Sequence, residues 1–218
     1  AHGRTLFEHS VLSFEKYFQS EPFLFITRDV YDTPNFVSQK VKALGIKDYQ
    51  IVILDHETRG QAETVYLALK QARNTDQSLT IFNIDTFRPG FEFPAEGRKG
   101  SGYLEVFQGP GDHWSFVQPA TSNSRLVART TEKERISDLC SSGLYHFTKI
   151  SDFVTAFERY LKVPEKDWPK GELYIAPLYN LLIAEGCRIY YHPIGIQDVI
   201  FCGTPEEYRE FQTSEINS

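Results

Sequence analysis

Gln50-Ile51-Val52-Ile53-Leu54-Asp55-His56-Glu57-Thr58-Arg59-Gly60-Gln61-Ala62-Glu63-Thr64 runs from an apolar stretch through a polar turn into the start of a helix. The apolar run does not alternate, so it reads as a strand covered on both faces. Beyond Gly60, Ala62, Val65, Tyr66 and Leu69 recur at helical spacing and predict a helix from about Gln61 to Arg73. The same alternation of elements extends outward. Upstream, Phe23-Leu24-Phe25-Ile26-Thr27 is a second apolar strand, and Thr33-Pro34 opens a helix through Leu44, with Thr33 as N-cap and Gly45 as the stop. Further back, Thr5 and Glu8 form a capping box, and Phe7, Val11, Phe14 and Phe18 predict one continuous helical stripe. Downstream, Leu79-Thr80-Ile81-Phe82 is a third strand ending at Asn83-Ile84-Asp85. This alternation predicts an α/β fold: a mostly parallel, Rossmann-like sheet with helices on both faces. On such a sheet, ligands sit outside the carboxyl ends of the strands, here in loops 27–33, 55–60 and 83–90.

Residues 86–130 break this rhythm. Pro89, Pro94, Pro110 and Pro119 interrupt short aromatic patches such as Tyr103-Leu104-Glu105-Val106-Phe107, which predicts an irregular lobe of mixed strands. A returning strand is expected at Gly143–Phe147 and a helix capped by Ser151. A further helix spans Ile175–Glu185, ended by Gly186, and a strand spans Arg188–His192. Thr204-Pro205-Glu206-Glu207 carries the signals of a last helix start, and the chain beyond Gln212 reads as a frayed tail. The 218 residues are expected to form one domain, with halves at 1–85 and 86–211 and a tail at 212–218.

Composition narrows the function. Net charge is −6 with a pI near 5.6, which argues against a nucleic-acid surface. A phosphate ligand would then need local groups or a metal to hold it against the overall field. No run of about 18 apolar residues is present and no leader precedes the first helix, so neither a membrane span nor secretion is expected. Cys140, Cys187 and Cys202 are odd in number and lack a CxxC pairing, which reads as reduced cytoplasmic thiols packed as small hydrophobes. No GxSxG elbow, phosphate-loop pattern or GxGxxG fingerprint occurs. The chain contains no Met and opens on Ala1-His2-Gly3 just before a helix, so it is expected to start inside a longer protein.

Three places can carry chemistry. Asp85 ends a buried strand without a basic neighbour, and reads either as a metal ligand or as a loop cap. The Thr58–Thr64 turn can receive an anion or a base edge at its helix start, or be an ordinary strand-to-helix turn. Glu132-Lys133 is either a site pair or part of a solvated charged run. Asp198, between Gly195 and Gly203, is a second loop carboxylate that can complete a two-carboxylate metal site with Asp85.

Taken in order, several segments resemble the sugar-phosphate nucleotidyltransferases, the family of nucleoside-diphosphate-sugar pyrophosphorylases and cytidylyltransferases. Arg4–His9 resembles the family's first-helix opening, Gly60–Thr64 its nucleobase loop, and Asn83-Ile84-Asp85 its NxD metal strand end. Glu132-Lys133 resembles its EK contact and Gly143–Phe147 its GxYxF-like strand. Gly171–Tyr174 resembles its acceptor-side GE segment, and Gly203–Tyr208 its closing Gly-Thr helix start. The resemblance covers nearly the whole chain, from Gly3 to Phe211. Two departures stand out. The family's Gly-rich GGxGxR loop and PKP segment should precede Ala1. Its closing metal Asp should stand at Phe201, three residues after Asp198.

The resemblance implies a GT-A-like nucleotidyltransferase with a nucleotide-binding half (1–85) and an acceptor half (86–211). It implies Asp85 and Lys133 as catalytic residues and Gly60, Gln61 and Asn83 as nucleotide-binding. Glu132, Lys133 and Glu172 are implied as acceptor-binding, with Asp85 and Asp198 on Mg²⁺. The substrates would be a nucleoside triphosphate, with a pyrimidine favoured, and a sugar phosphate or small phosphorylated acceptor for surface polysaccharide. A metal-dependent glycosyltransferase and a non-catalytic nucleotide-binding domain remain as alternatives. The oligomeric state is left open.

Overall fold

A computed structural model of the chain describes residues 1–72 and 77–214. Strands β1 (Phe23–Arg28) and β2 (Tyr49–Leu54) pair in parallel, Phe23 with Tyr49 through Arg28 with Leu54. One face of this pair, carrying Phe23, Phe25, Tyr49 and Ile51, packs on helices α1 (Leu6–Leu12) and α2 (Thr33–Ala43). The other, carrying Leu24, Ile26, Val52 and Leu54, packs under α3 (Gln61–Leu69). The unalternating apolar runs therefore follow from burial on both faces.

The large sheet comprises β3 (Leu79–Ile81), β5 (Gly102–Gln108), β6 (Ser115–Pro119), β7 (Val127–Glu132), β8 (Leu139–Phe147) and β9 (Ile189–Pro193). Its order is β7-β6-β8-β5-β9. One edge of β8 takes β5, and the other is shared by β6 at Cys140 and β3 at Tyr145–Phe147. Helices α4 (Ile150–Tyr160) and α5 (Ala176–Ala184) cover one face through the main core, which includes Leu104, Phe147, Phe153 and Tyr179. Short strands β4 (Thr86–Phe87) and β10 (Ile200–Phe201) form an antiparallel ribbon, over which α6 (Pro205–Thr213) packs Phe211 against Phe87 and Cys202.

The fold is α/β, as expected, and the irregular mixed lobe is where residues 86–130 place it. The sheet is less parallel than the alternation suggested: parallel registers are confined to β1–β2 and β5–β9. Strand β3 runs antiparallel to β8, whose nine residues lie at the sheet centre between β5 on one edge and β6 and β3 on the other. Local boundaries also differ. The Phe7–Phe18 stripe is split, since α1 stops at Leu12 and Glu15–Tyr17 is a separate 3₁₀ turn. The break falls at Ser13, whose side chain is bonded to Arg88 instead of its own helix. Helix α2 begins after Asp32, in left-handed conformation, so Thr33 is already helical. Helix α4 follows Lys149, not Ser151. Arg73 and the chain from 215 lie outside the described residues, although α6 extends past Gln212 to Thr213. Cys140 and Cys202 are buried and Cys187 is half-buried, all as free thiols.

The expected cap of α1 is in place. Thr5 Oγ1 accepts from Glu8 N–H, and Glu8 Oε2 accepts from the Thr5 N–H (2.9 Å) and hydroxyl (2.8 Å). The Thr5 N–H, aided by Lys40 at 3.0 Å, holds the Glu8 carboxyl down to about 2. A depressed folded value stabilises above the carboxyl's ordinary range and is lost as pH falls. Thr5→Ala is expected to lower unfolding free energy at neutral pH by about 1 kcal/mol. Glu8→Gln is expected to flatten the acid limb of stability between the ordinary carboxylate range and pH about 2. Denaturant titrations across that interval check both.

Candidate active site

After β3 the chain crosses the sheet's edge from Asn83 to Arg88, and its polar groups are tied at both ends. The buried Ser10 hydroxyl donates to the Asn83 carbonyl (3.0 Å), and the buried Ser13 hydroxyl accepts from the Arg88 N–H (2.8 Å). The Asn83 side-chain carbonyl accepts from Gln61 Nε2 at 2.5 Å. The Asn83 amide lies against Gly143, where a Cβ would come within 2.7 Å of Asn83 Nδ2, so this left-handed position in β8 needs glycine. Between the anchors, Ile84 and Asp85 are exposed. Among the described residues Asp85 has no ion-pair partner. Its carboxylate meets only the Thr86 hydroxyl at 3.5 Å, and its carbonyl accepts from Cys202 N–H at 2.8 Å. Asp85 is thus presented to solvent from a braced segment.

The turn before α3 is tied to the segment that leads into α5. Leu173 N–H donates to Arg59 C=O (2.8 Å) and Ala62 N–H to Leu173 C=O (2.9 Å), which brings Glu172 beside the Gly60 turn. Gly60 has φ +144°, and a Cβ there would lie 2.6 Å from the Leu173 carbonyl oxygen. An open cleft of about 230 Å³ lies past the carboxyl ends of β1 and β2, lined by Thr27, Arg28, His56, Thr58 and Thr64. This is where the strand-end rule places ligands. Arg28 is paired to Glu57, and His56 to Asp55.

A second group of sequence-predicted residues gathers at the end of β7. Lys133, at φ +54°, donates from Nζ to the Tyr174 hydroxyl at 2.5 Å and lies 4.7 Å from that ring's centroid. The Tyr174 contact raises the Lys133 value, so this amine stays cationic. Glu132 is half-buried and hydrogen-bonded to the Ser115 hydroxyl, which also meets Tyr145 OH at 3.1 Å. Burial pushes the Glu132 carboxyl up; Ser115 and Lys133 oppose that, and Glu172 adds to it. Glu132, Lys133 and Glu172 therefore share one neighbourhood, and Glu132 belongs to a strand rather than a solvated loop.

Asp198 stands in the turn before β10. Its carboxylate accepts from the Gly195 N–H (2.8 Å) and closes its own turn. The ribbon pairs Phe201 with Thr86 and Ile200 with Phe87. Asp198 ends the Ile196–Asp198 3₁₀ turn, four residues before Cys202, whose N–H donates to the Asp85 carbonyl. Asp85 and Glu207 both border Gly203: a Cβ there would lie 3.1 Å from Asp85 Oδ2 and 3.8 Å from Glu207 Oε2. Glu207 caps α6 through Thr204. Burial, with Glu207 and Asp85 adding, pushes the Cys202 thiol up to about 11 and keeps it protonated. Sequence reasoning missed Ser10, Ser13 and Ser115, since each acts through a partner far along the chain. Glu105 in the apolar strand Tyr103–Phe107 was a readable signal of a buried charged partner.

Gly60→Ala tests the turn. Its methyl would meet backbone in a conformation that L-residues avoid, and a loss of about 2 kcal/mol in unfolding free energy is expected. Nucleotide-dependent thermal stabilisation should weaken in the same variant. A variant of unchanged stability would show that the 59–62 and 173 segments are not locked together.

No protein-family model and no curated protein matches the chain. Among solved structures, the nucleoside-diphosphate-sugar pyrophosphorylase from Vibrio cholerae RC9 is 56% identical, with a TM-score of 0.95. The match covers 98% of this chain and 89% of that one. The inositol-1-phosphate CTP transferase from T. maritima (13% identity, TM-score 0.68, 95% and 80% covered) shares the fold. So does the CTP:phosphocholine cytidylyltransferase from Streptococcus pneumoniae (12%, 0.67, 97% and 86%). Of the readings left open by the sequence, these matches select the nucleotidyltransferase. With its Asn83-Ile84-Asp85 strand end, Gly60 turn and Glu132-Lys133 pair on this fold, the chain belongs to the nucleoside-diphosphate-sugar pyrophosphorylase family of nucleotidyltransferases.

Proposed function

We propose that this enzyme joins a nucleoside monophosphate, from a pyrimidine nucleoside triphosphate, to a sugar phosphate or a similar small phosphorylated acceptor, using Mg²⁺ held by Asp85. The observation that carries this reading is the exposed Asp85 carboxylate, unpaired among the described residues, on a segment braced at both ends. Its donor chemistry fits: a hard carboxylate oxygen suits Mg²⁺, which takes one or two carboxylates and fills its shell with substrate phosphates and water. Among the described residues no cluster of three or more His, Cys, Asp or Glu could hold a metal. The ligand set would therefore be completed by substrate, with Glu207, which also borders Gly203, as a nearby carboxylate beside the Asp198 the sequence offers. When bound, the ion supplies positive charge that lets two anions approach and stabilises charge at the α-phosphate.

An acceptor phosphate oxygen forms the new bond to the α-phosphorus. The bond to the bridging oxygen breaks, and its electron pair leaves on pyrophosphate. The attacking oxygen is already an anion, so no residue need remove a proton; positioning and charge neutralisation carry the rate. Gly60 and Gln61 border the nucleobase side, with the Gln61 amide, fixed by Asn83, reading the base edge. Lys133 remains cationic and meets the acceptor phosphate as a point charge. Glu132 and Glu172 accept hydrogen bonds from acceptor hydroxyl or amine groups. Residues 1–85 thus serve the nucleotide and 86–211 the acceptor. A sugar phosphate is favoured by the name of the 56% identical relative, and a pyrimidine by the CTP named for the two distant ones. We place the reaction in the cytoplasm, in supply of surface polysaccharide.

The test is pyrophosphate release from a panel of nucleoside triphosphates and sugar phosphates with Mg²⁺, using the full-length enzyme. Asp85→Asn is expected to reduce turnover by about a hundredfold or more. Its unfolding free energy should stay within about 0.5 kcal/mol of the parent, because the side chain is exposed. Undiminished turnover in that variant would remove Asp85 from the mechanism.

A further inference from the structure

The most buried ion pair among the described residues lies outside the proposed mechanism. Glu105, in the centre of β5, is 1% exposed, and the Arg88 side chain facing it is 12% exposed, with Nε to Oε1 at 2.9 Å. The Ser142 hydroxyl donates to the same oxygen at 3.0 Å, while Oε2 has no partner. Such a pair is a poor stabiliser. Desolvating two charges offsets their attraction, apolar residues of equal volume often do better, and a buried acceptor left unbonded adds a further cost. Its geometry indicates a different use. Arg88 Nη1 donates to the Asp198 carbonyl at 3.1 Å, while its own N–H is held by Ser13. One guanidinium thus ties the chain after β4 to β5 and to the turn leading into β10.

Strands β4 and β10 contribute two residues each. A ribbon that short does not hold its own place. Asp85 rides on one end of it, through the Cys202 N–H, and Arg88 anchors the other. We infer that Arg88 and Glu105 are positioning residues, a buried clamp that fixes the ribbon and through it the direction of the Asp85 carboxylate. This rests on the reading of Asp85 as metal anchor. Ser142, which completes the clamp, adjoins Gly143, against which Asn83 packs, so both ends of the 83–88 segment are referred to the same turn of β8.

The direct test is Arg88→Lys in the full-length enzyme. A lysine keeps the charge opposite Glu105, but its single ammonium does not reproduce the planar fork that reaches Glu105 and the Asp198 carbonyl together. The expected result is a melting temperature close to the parent's. Turnover should fall about tenfold or more, and the Mg²⁺ concentration for half-maximal rate should rise, because small misplacements of a positioned group are costly. The double variant R88M/E105L removes the pair without stranding a charge. It should melt at or above the parent temperature and show the same kinetic loss. Glu105→Gln, which keeps an acceptor for Arg88, should recover most of the rate. Parent-like turnover and Mg²⁺ dependence in both Arg88→Lys and the double variant, with Asp85→Asn inactive, would overturn the clamp alone. An active Asp85→Asn would overturn the metal reading beneath it. If Arg88→Lys melts far below the parent while the double variant is fully active, the pair is structural and the inference fails.

Discussion

Two serine hydroxyls one helical turn apart set the geometry on which the site depends. Ser10, on α1, and Ser13, at its C-cap, are each 3% exposed, and buried hydroxyls must find partners. They find them on the backbone at Asn83 and Arg88, the two ends of the segment that carries Asp85. Because α1 is itself pinned by its capping box and by the Glu8–Lys40 contact to α2, the segment is referenced to the N-terminal layer. Arg88–Glu105 and Asn83–Gly143 reference it to the large sheet. In the role proposed for Asp85, freedom of its backbone would only cost, and here that freedom is removed from both sides.

The same logic governs the acceptor side. Lys133 occupies a left-handed conformation at the end of β7, its N–H bonded to the Trp114 carbonyl and its amine over Tyr174. Tyr174 follows Leu173, which is hydrogen-bonded to both sides of Gly60. The Gly60 turn and the cluster of Glu132, Lys133 and Tyr174 are therefore joined by two backbone hydrogen bonds across one glycine. A Cβ at Gly60 would act on both halves of the site together.

Much of this was readable in the chain. The unalternating strands 23–27 and 50–54 announced burial on both faces, and both capping boxes stand where Thr5-Glu8 and Thr204-Glu207 put them. Ordered resemblance placed the family, which the 56% identical pyrophosphorylase bears out. What escaped was long-range. Nothing near Leu79 in sequence says that its partner is Phe147, so a parallel neighbour was expected where an antiparallel one stands. Nothing near Asp198 says that its carboxylate accepts from the Gly195 N–H. Ser13 looked like one more helical residue until its hydroxyl met Arg88, which is why the Phe7–Phe18 stripe breaks there. Periodicity reports the environment of a residue but not the identity of its partner.

The most direct measurement of the central claim is a crystal of the full-length enzyme grown with Mn²⁺ and a non-hydrolysable nucleoside triphosphate, with anomalous scattering locating the metal. The expected map has one manganese peak within direct coordination distance of an Asp85 carboxylate oxygen and of a nucleotide phosphate oxygen, about 2.2 Å from each. A peak held by nucleotide and other residues alone, with the Asp85 carboxylate turned to solvent, would contradict it.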